Sequence, residues 1–331
     1  MILNIVMRFG GVILTMLAVA FFTYAIFFAL SPDPAVTICG QTCTPQQIEN
    51  IRDTLGLDQP FLVQFFMFLS GVFFGRTYMD GGLAAVCEAP CLGRSFQTNQ
   101  NVMTMITDRL DVTVTVAVGA AILWLIVGVL AGIVSALKEG TVWDRGAMVL
   151  ALGGVALPNY FFALVLQYVL VVQLEILPFP RAVGFAEDPL GWFQNYVMPW
   201  TVLALMYASM YARLTRTNML DTLSENFMRT ARAKGLSPRI ILMRHALRPS
   251  LTPIVTLFGM DIAALLGGAL ITESVFGLNG VGKLAYDAIS TNDQPVIMGV
   301  TLVAAFFVIV ANIFVDVAYA ALDPRVRTRK A

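Results

Sequence analysis

Six runs of apolar residues, 9–30, 112–137, 146–174, 190–212, 250–272 and 295–321, alternate along the chain with polar segments. Each reaches the roughly 20 residues that a helix needs to cross a hydrocarbon core of about 30 Å. None alternates with the period of two that a lipid-facing strand requires, and in lipid only helices and closed barrels satisfy the backbone. The pattern predicts an all-α integral membrane protein with six transmembrane helices. A seventh run, 61–75, is apolar but short, and is read as a segment lying along the interface or against the bundle. Counted as a span, it would reverse every topology assignment downstream.

Composition agrees with that class: 58% of the 331 residues are hydrophobic and 13% charged, with a mean hydropathy of +0.76. The formal net charge of zero hides an asymmetry. With the N-terminus inside, the inner segments hold Arg8, Lys138, Arg145, the eight basic residues from Arg213 to Arg248 and the four from Arg325 to Lys330, fifteen of the twenty-one. The outer segments hold six, among carboxylates such as Asp33, Glu49, Asp53, Asp58, Asp108 and Asp111. Positive residues near span ends are retained in the cytoplasm, so both termini are predicted to be cytoplasmic. Arg8 precedes an apolar run too long for a signal core, and no small-x-small site follows it, which predicts a retained anchor. The expected layout is a first span (1–30), an extracytoplasmic segment (31–108), a five-helix core (109–321) with a cytoplasmic loop at 213–249, and a basic tail (322–331).

The long outer segment has a helix signal, opening at Thr44 and Pro45 and closing at Gly56, and contains all four cysteines. Cys39 with Cys43 and Cys87 with Cys91 form two CxxxC pairs. An even number on the oxidising side points to disulfides, with three connectivities open. Bridges between the pairs are favoured, because they would close longer loops and restrain more of the unfolded chain. A four-cysteine zinc site is the competing reading, although such sites use tighter knuckles.

Between the fourth and fifth spans the chain reads as helix, glycine turn, helix. Thr222-Leu-Ser-Glu225 fits a capping box, and Leu223, Phe227 and Ala231 follow at four-residue spacing on one face. Gly235 can end that helix with a positive φ, Ser237 can cap the next, and Pro238 suits its first turn. Arg229, Arg232 and Lys234 complement the first helix's dipole, which accounts for part of the charge but not for the loop's length. The loop lacks the interleaved aromatics of a nucleic-acid surface.

The residues 229–255, RTARAKGLSPRIILMRHALRPSLTPIV, resemble the cytoplasmic EAA loop of the permeases of ABC importers for dipeptides and oligopeptides, which have the type I importer fold. Arg229, Thr230 and Ala231 stand where the general importer pattern has Glu-Ala-Ala; Gly235 matches, and His245 and Arg248 replace its Ile and Pro. The peptide branch usually reads as this chain does. Likeness extends to QQIENIRDTLGLDQPFLVQFFMFL, LGRSFQTNQNV, residues 271–300 and FVDVAYAALDPRVR, while the stretches bearing the cysteines have no counterpart.

The resemblance implies that Arg229, Thr230, Ala231, Arg232, Ala233, Lys234, Gly235, Leu236 and Ser237 couple to an ATPase. It places Glu273, Phe276, Gly277, Gly280 and Gly282 near the outer gate, where a delivery protein would meet the chain. The implied partners are a homologous second permease, two cytoplasmic ATPases carrying ATP and Mg, an extracytoplasmic binding protein, a peptide substrate and the lipid of a prokaryotic cytoplasmic membrane. No catalytic residue, metal or cofactor is expected on this chain. Nickel complexes and glutathione use similar permeases, so the cargo stays open.

Further features bear on other classes. Gly277 to Lys283 mimics a phosphate-binding loop, yet Leu284 stands where a hydroxyl must ligate magnesium. Asp261, in the middle of the fifth span, faces either a translocation path or a hydrogen bond to a neighbouring helix, and Asp316 is read as pairing near the cytoplasmic end. An ion-coupled secondary transporter would carry its own intramembrane carboxylates in repeated halves, and no internal repeat is seen. His245 is the single histidine, which excludes a histidine metal cluster or triad. Pro158 and Pro199 predict helix bends, and Gly128 with Gly132 a close-packing helix face.

Overall fold

The computed structural model describes residues 2–29, 35–36, 44–46, 48–49, 52, 58–80 and 83–322, with side chains undescribed at 2–9, 28–29, 79–80, 83–85 and 316–322. The chain forms two compact units, one from 1–111 and 279–309, the other from 112–278 and 310–331.

In the first unit, α1 (Ile2–Tyr24) runs into a widened turn at Ala25–Ala29. The short apolar run is a helix, α2 (Phe61–Phe74), as short as predicted. Its buried face packs on α1, with Phe65 5.3 Å from Phe21 and 5.7 Å from Tyr24 between ring centroids. An antiparallel hairpin follows, β1 (Arg76–Asp80) on β2 (Leu83–Cys87), with Arg76 opposite Cys87 and Asp80 opposite Leu83. Val102, Met105 and Ile106 at the start of α3 (Val102–Leu137) share a core with Val281, Leu284 and Ala288 of α10 (Val281–Ser290) and with the first turns of α11 (Gln294–Leu322). Buried Asp293 accepts from Ser95 Oγ and, at 3.0 Å, from the Phe96 amide, fixing the segment before α3.

The cysteine pairing departs from expectation. Cys87 bonds to Cys91, because the chain reverses in the intervening residues and brings their Cα atoms to 5.5 Å, within the reach of a bridge. A cross-pair connection is thereby corrected for these two. Cys39, Cys43 and most of the helix expected after Thr44 lie outside the described residues.

The second unit is built on α3 against α6 (Pro189–Ser224), with α4 (Val142–Ala156) and α5 (Asn159–Gln173) beside them. Asp188 caps α6, accepting from the Gly191 amide at 2.9 Å, and Pro189 pre-sets its first turn. Gly128 and Gly132 face α6, where added Cβ atoms would lie 2.9 Å from the Ala208 carbonyl and 2.6 Å from that of Ala212. The GxxxG pair is therefore an intrachain packing face.

The run 146–174 is not one straight span. Its helices α4 and α5 bend by 98° at Leu157-Pro158, where proline lacks the N–H of a continuing helix and holds Leu157 extended (φ −83°, ψ 128°). Among the described residues four helices, Gly10–Phe27, Val102–Leu137, Pro238–Leu266 and Gln294–Val315, are long and apolar enough to cross a membrane, and the bent pair makes a fifth if read as one span.

Candidate functional site

The predicted helix, turn and helix follow α6, the second helix being the start of α8 (Pro238–Leu266), with differences at the entrance. Thr222 caps nothing: its hydroxyl donates back to the Asn218 carbonyl at 2.7 Å, and α6 continues to Ser224. The chain breaks at Glu225, in extended conformation, and α7 (Asn226–Ala233) begins without a side-chain cap. That break resets the helical phase, so the buried face of α7 is Met228 with Ala231, and Phe227 is 45% exposed.

The turn follows the sequence closely. Gly235 has φ +74°, its amide donates to the Arg232 carbonyl at 3.0 Å, and the Leu236 amide reaches that of Ala231 at 3.4 Å, a Schellman ending. Ser237 occupies the cap position of α8 with Pro238 after it, but its side chain makes no capping bond. A widened turn at Ile241–Ala246 joins this entry to the long body of α8.

Two devices anchor the hairpin. Met228, Ala231, Ile241 and Ala246 form a small core with Met219 of α6 and Ala136 of α3, into which Leu236 packs. Beside it, Ser250 of α8 donates to the Ala246 carbonyl at 2.7 Å and lies 3.0 Å from Thr222 Oγ1, while Asn218 Nδ2 donates to the Ser250 carbonyl at 3.3 Å.

What remains outside is basic with apolar studs. Arg229, Thr230, Arg232, Ala233, Lys234, Gly235, Ser237, Arg239 and Arg244 are exposed, and so are Ile240 and Met243, the latter at 61%. Ala231 is buried and Leu236 half-buried, so these two hold the hairpin together from within. Large apolar side chains ringed by positive charge make this face a candidate docking surface.

An ion pair of buried Asp144 with half-buried Arg216 lies close by, and sequence reasoning missed it by counting Arg216 among the loop charges. Asp144, in the first turn of α4 and 4% exposed, accepts from Arg216 Nε at 2.7 Å and Nη2 at 2.9 Å, from Ser135 Oγ, and from the Gly140 amide at 2.9 Å. These donors, Arg216 foremost, hold its carboxyl well below the usual carboxylate range. Asp144 precedes the apolar stretch that starts at 146, and Arg216 follows the one that ends at 212.

Asp261 is half-buried on α8 and takes a hydrogen bond from Tyr211 Oη of α6 at 2.6 Å. Tyr211 is fully buried beside Trp124, whose ring stacks on Tyr207 at 4.6 Å. The neighbouring-helix bond is thus present, and the residue stays partly exposed in this chain.

The outer residues separate. Glu273 of α9 (Leu270–Val275) is 0% exposed and accepts from Thr113 Oγ1 at 2.9 Å and from the Ala269 amide at 3.3 Å. Phe276, Gly280 and Gly282 are also buried. Gly277 alone of the set is exposed, with φ +66° at the end of α9. A helix, not a strand, precedes this glycine run, and Lys283 pairs with Asp287 at 2.9 Å, so the likeness to a phosphate loop ends at the sequence. Among the described residues no group of three or more His, Cys, Asp or Glu could hold a metal.

The family described as "Binding-protein-dependent transport system inner membrane component" matches residues 128–328, and its N-terminal companion matches residues 1–117. A putative peptide transport system permease protein of Brucella abortus (strain 2308) is 36% identical over 323 residues, 98% of each chain. The glutathione transport system permease protein GsiC of Escherichia coli (strain K12) is 34% identical, again over 98% of both. An inward-facing structure of the MetNI methionine ABC transporter has a TM-score of 0.52 at 13% identity, covering 67% of this chain and 97% of that one, and shows the fold to be that of a type I ABC permease. With both family patterns matched across most of the sequence, this chain belongs to the inner-membrane permeases of the peptide ABC importers.

Proposed function

We propose that this permease subunit forms, with a homologous second permease, the path for peptides handed over by an extracytoplasmic binding protein, and that residues 229–237 receive the stroke of two cytoplasmic ATPases. ATP and Mg belong to those partners. The observation that carries the reading is the stiff hairpin on its own small core, with Arg229, Arg232, Lys234, Ile240 and Met243 left outside. The charge asymmetry supports a topology with six spans, both termini and the hairpin in the cytosol, and residues 31–108 outside. That topology uses α6 as a span, although Asn195, Thr201 and Ser209 interrupt its apolar stretch. Asp261 stands on the path, where its carboxylate would meet a peptide's amino terminus.

The test is Gly235→Pro. Proline cannot adopt φ +74° and removes the amide that closes the turn. Insertion and complex assembly are expected to persist while ATP-driven dipeptide uptake collapses; normal uptake would overturn the coupling assignment. The Escherichia coli glutathione permease favours one second reading, in which the cargo is a γ-linked tripeptide. Competition between glutathione and an ordinary dipeptide for uptake separates the two.

A further inference from the structure

The Asp144–Arg216 pair sits where three helix ends meet the docking hairpin. Arg216 lies on α6, two turns before the break at Glu225. Asp144 begins α4, the first arm of the pair that bends by 98° at Leu157-Pro158. The last turns of α3 contribute two consecutive side chains: Ala136 is buried in the hairpin's small core, and Ser135 donates to the Asp144 carboxylate. A displacement of α7 therefore bears on Ala136, whose neighbour is bonded to the head of α4.

From this geometry we infer that Asp144 and Arg216 are positioning residues that carry the motion of the docking hairpin into the bent α4–α5 pair. The inference rests on the coupling role proposed above and adds the route. A pure Coulomb contact would permit sliding; the two parallel bonds from Nε and Nη2 to the two carboxylate oxygens fix orientation as well as distance. The serine and the Gly140 amide hold the same two oxygens, so the carboxylate cannot turn to follow the arginine alone. Further along, α4 lies close on α6: a Cβ at Gly154 would be 3.0 Å from the Leu205 carbonyl. The arm is therefore loaded along its length but steered at its head. At its far end the chain turns at Pro158, and Asn159 Nδ2 reaches Thr272 Oγ1 of α9 at 3.4 Å.

The test uses the full complex with its native ATPases and binding protein in proteoliposomes, with radiolabelled dipeptide as cargo. Two quantities are read for each variant, peptide moved per ATP hydrolysed and ATP-dependent hydrogen exchange at α7 and around Leu157. Arg216→Lys keeps the charge and loses the fork; it is expected to hydrolyse ATP within about twofold of the parent and to move about tenfold less peptide per ATP. ATP should still change exchange at α7 but no longer around Leu157. Asp144→Asn should behave alike, and Ser135→Ala, which leaves the ion pair intact and covers the case in which the other two fail to assemble, should lose about threefold per ATP. Uptake and hydrolysis falling in parallel in assembled complexes would overturn the inference, as would an unchanged ratio. If instead the parent complex shows no ATP-driven uptake, the functional reading fails, a result distinct from failure of the route.

Discussion

Two carboxylates, one at the head of α4 and one towards the C-terminal end of α8, show how differently a membrane protein can use the same side chain. Asp144 is buried and saturated, with two bonds from a fixed guanidinium, one from a hydroxyl and one from an amide. Asp261 is half-buried, and the hydrogen bond found for it among the described residues is that from Tyr211. An ionised carboxylate has about four acceptor sites. At Asp144 all are taken up inside the fold, as the proposed route requires; at Asp261 one donor is found, which fits its proposed place on the peptide path.

That contrast orders the expected effects of substitution. Arg216→Ala should be the most damaging, since it strands a buried charge at a cost of about 3–5 kcal/mol; thermal unfolding of the detergent-solubilised complex should show a large drop, and wild-type stability would deny that the pair is buried. Ser135→Ala removes one neutral donor to a charged acceptor and should cost about 1.5–3 kcal/mol by the same assay. Tyr211→Phe removes a bond between membrane helices, for which about 0.6 kcal/mol is typical, so its stability should hardly change. Asp261→Asn should alter stability least of all, yet lower uptake of peptides with a free amino terminus several-fold and spare N-acetylated ones. Equal loss for both kinds of peptide would remove Asp261 from cargo recognition and erase the contrast.

Much of this arrangement is legible in the amino-acid sequence, and what is not has physical causes. The apolar runs can be read because lipid demands them without reference to any neighbour. Gly235 and Pro238 can be read because a positive φ and a first helical turn are local requirements. The phase of α7 cannot, since spacing counted from Leu223 crosses the break at Glu225, and nothing local announces that Thr222 will bond backwards to Asn218. Asp144 and Arg216 are separated by 72 residues and each resembles an ordinary charge beside a span, so only tertiary packing reveals them as a pair. Glu273 and Phe276 lie just past the fifth apolar run, and are buried by packing that the pattern does not encode.

The central claim is that the basic hairpin lies in the cytosol against an ATPase, and labelling a cysteine at its apex tests it most directly. In a functional Arg232→Cys variant, a membrane-impermeant maleimide should modify position 232 in inside-out vesicles stripped of the ATPases, and should fail to do so once the ATPases are restored or when intact cells are treated. Modification of that cysteine from outside intact cells would contradict the account.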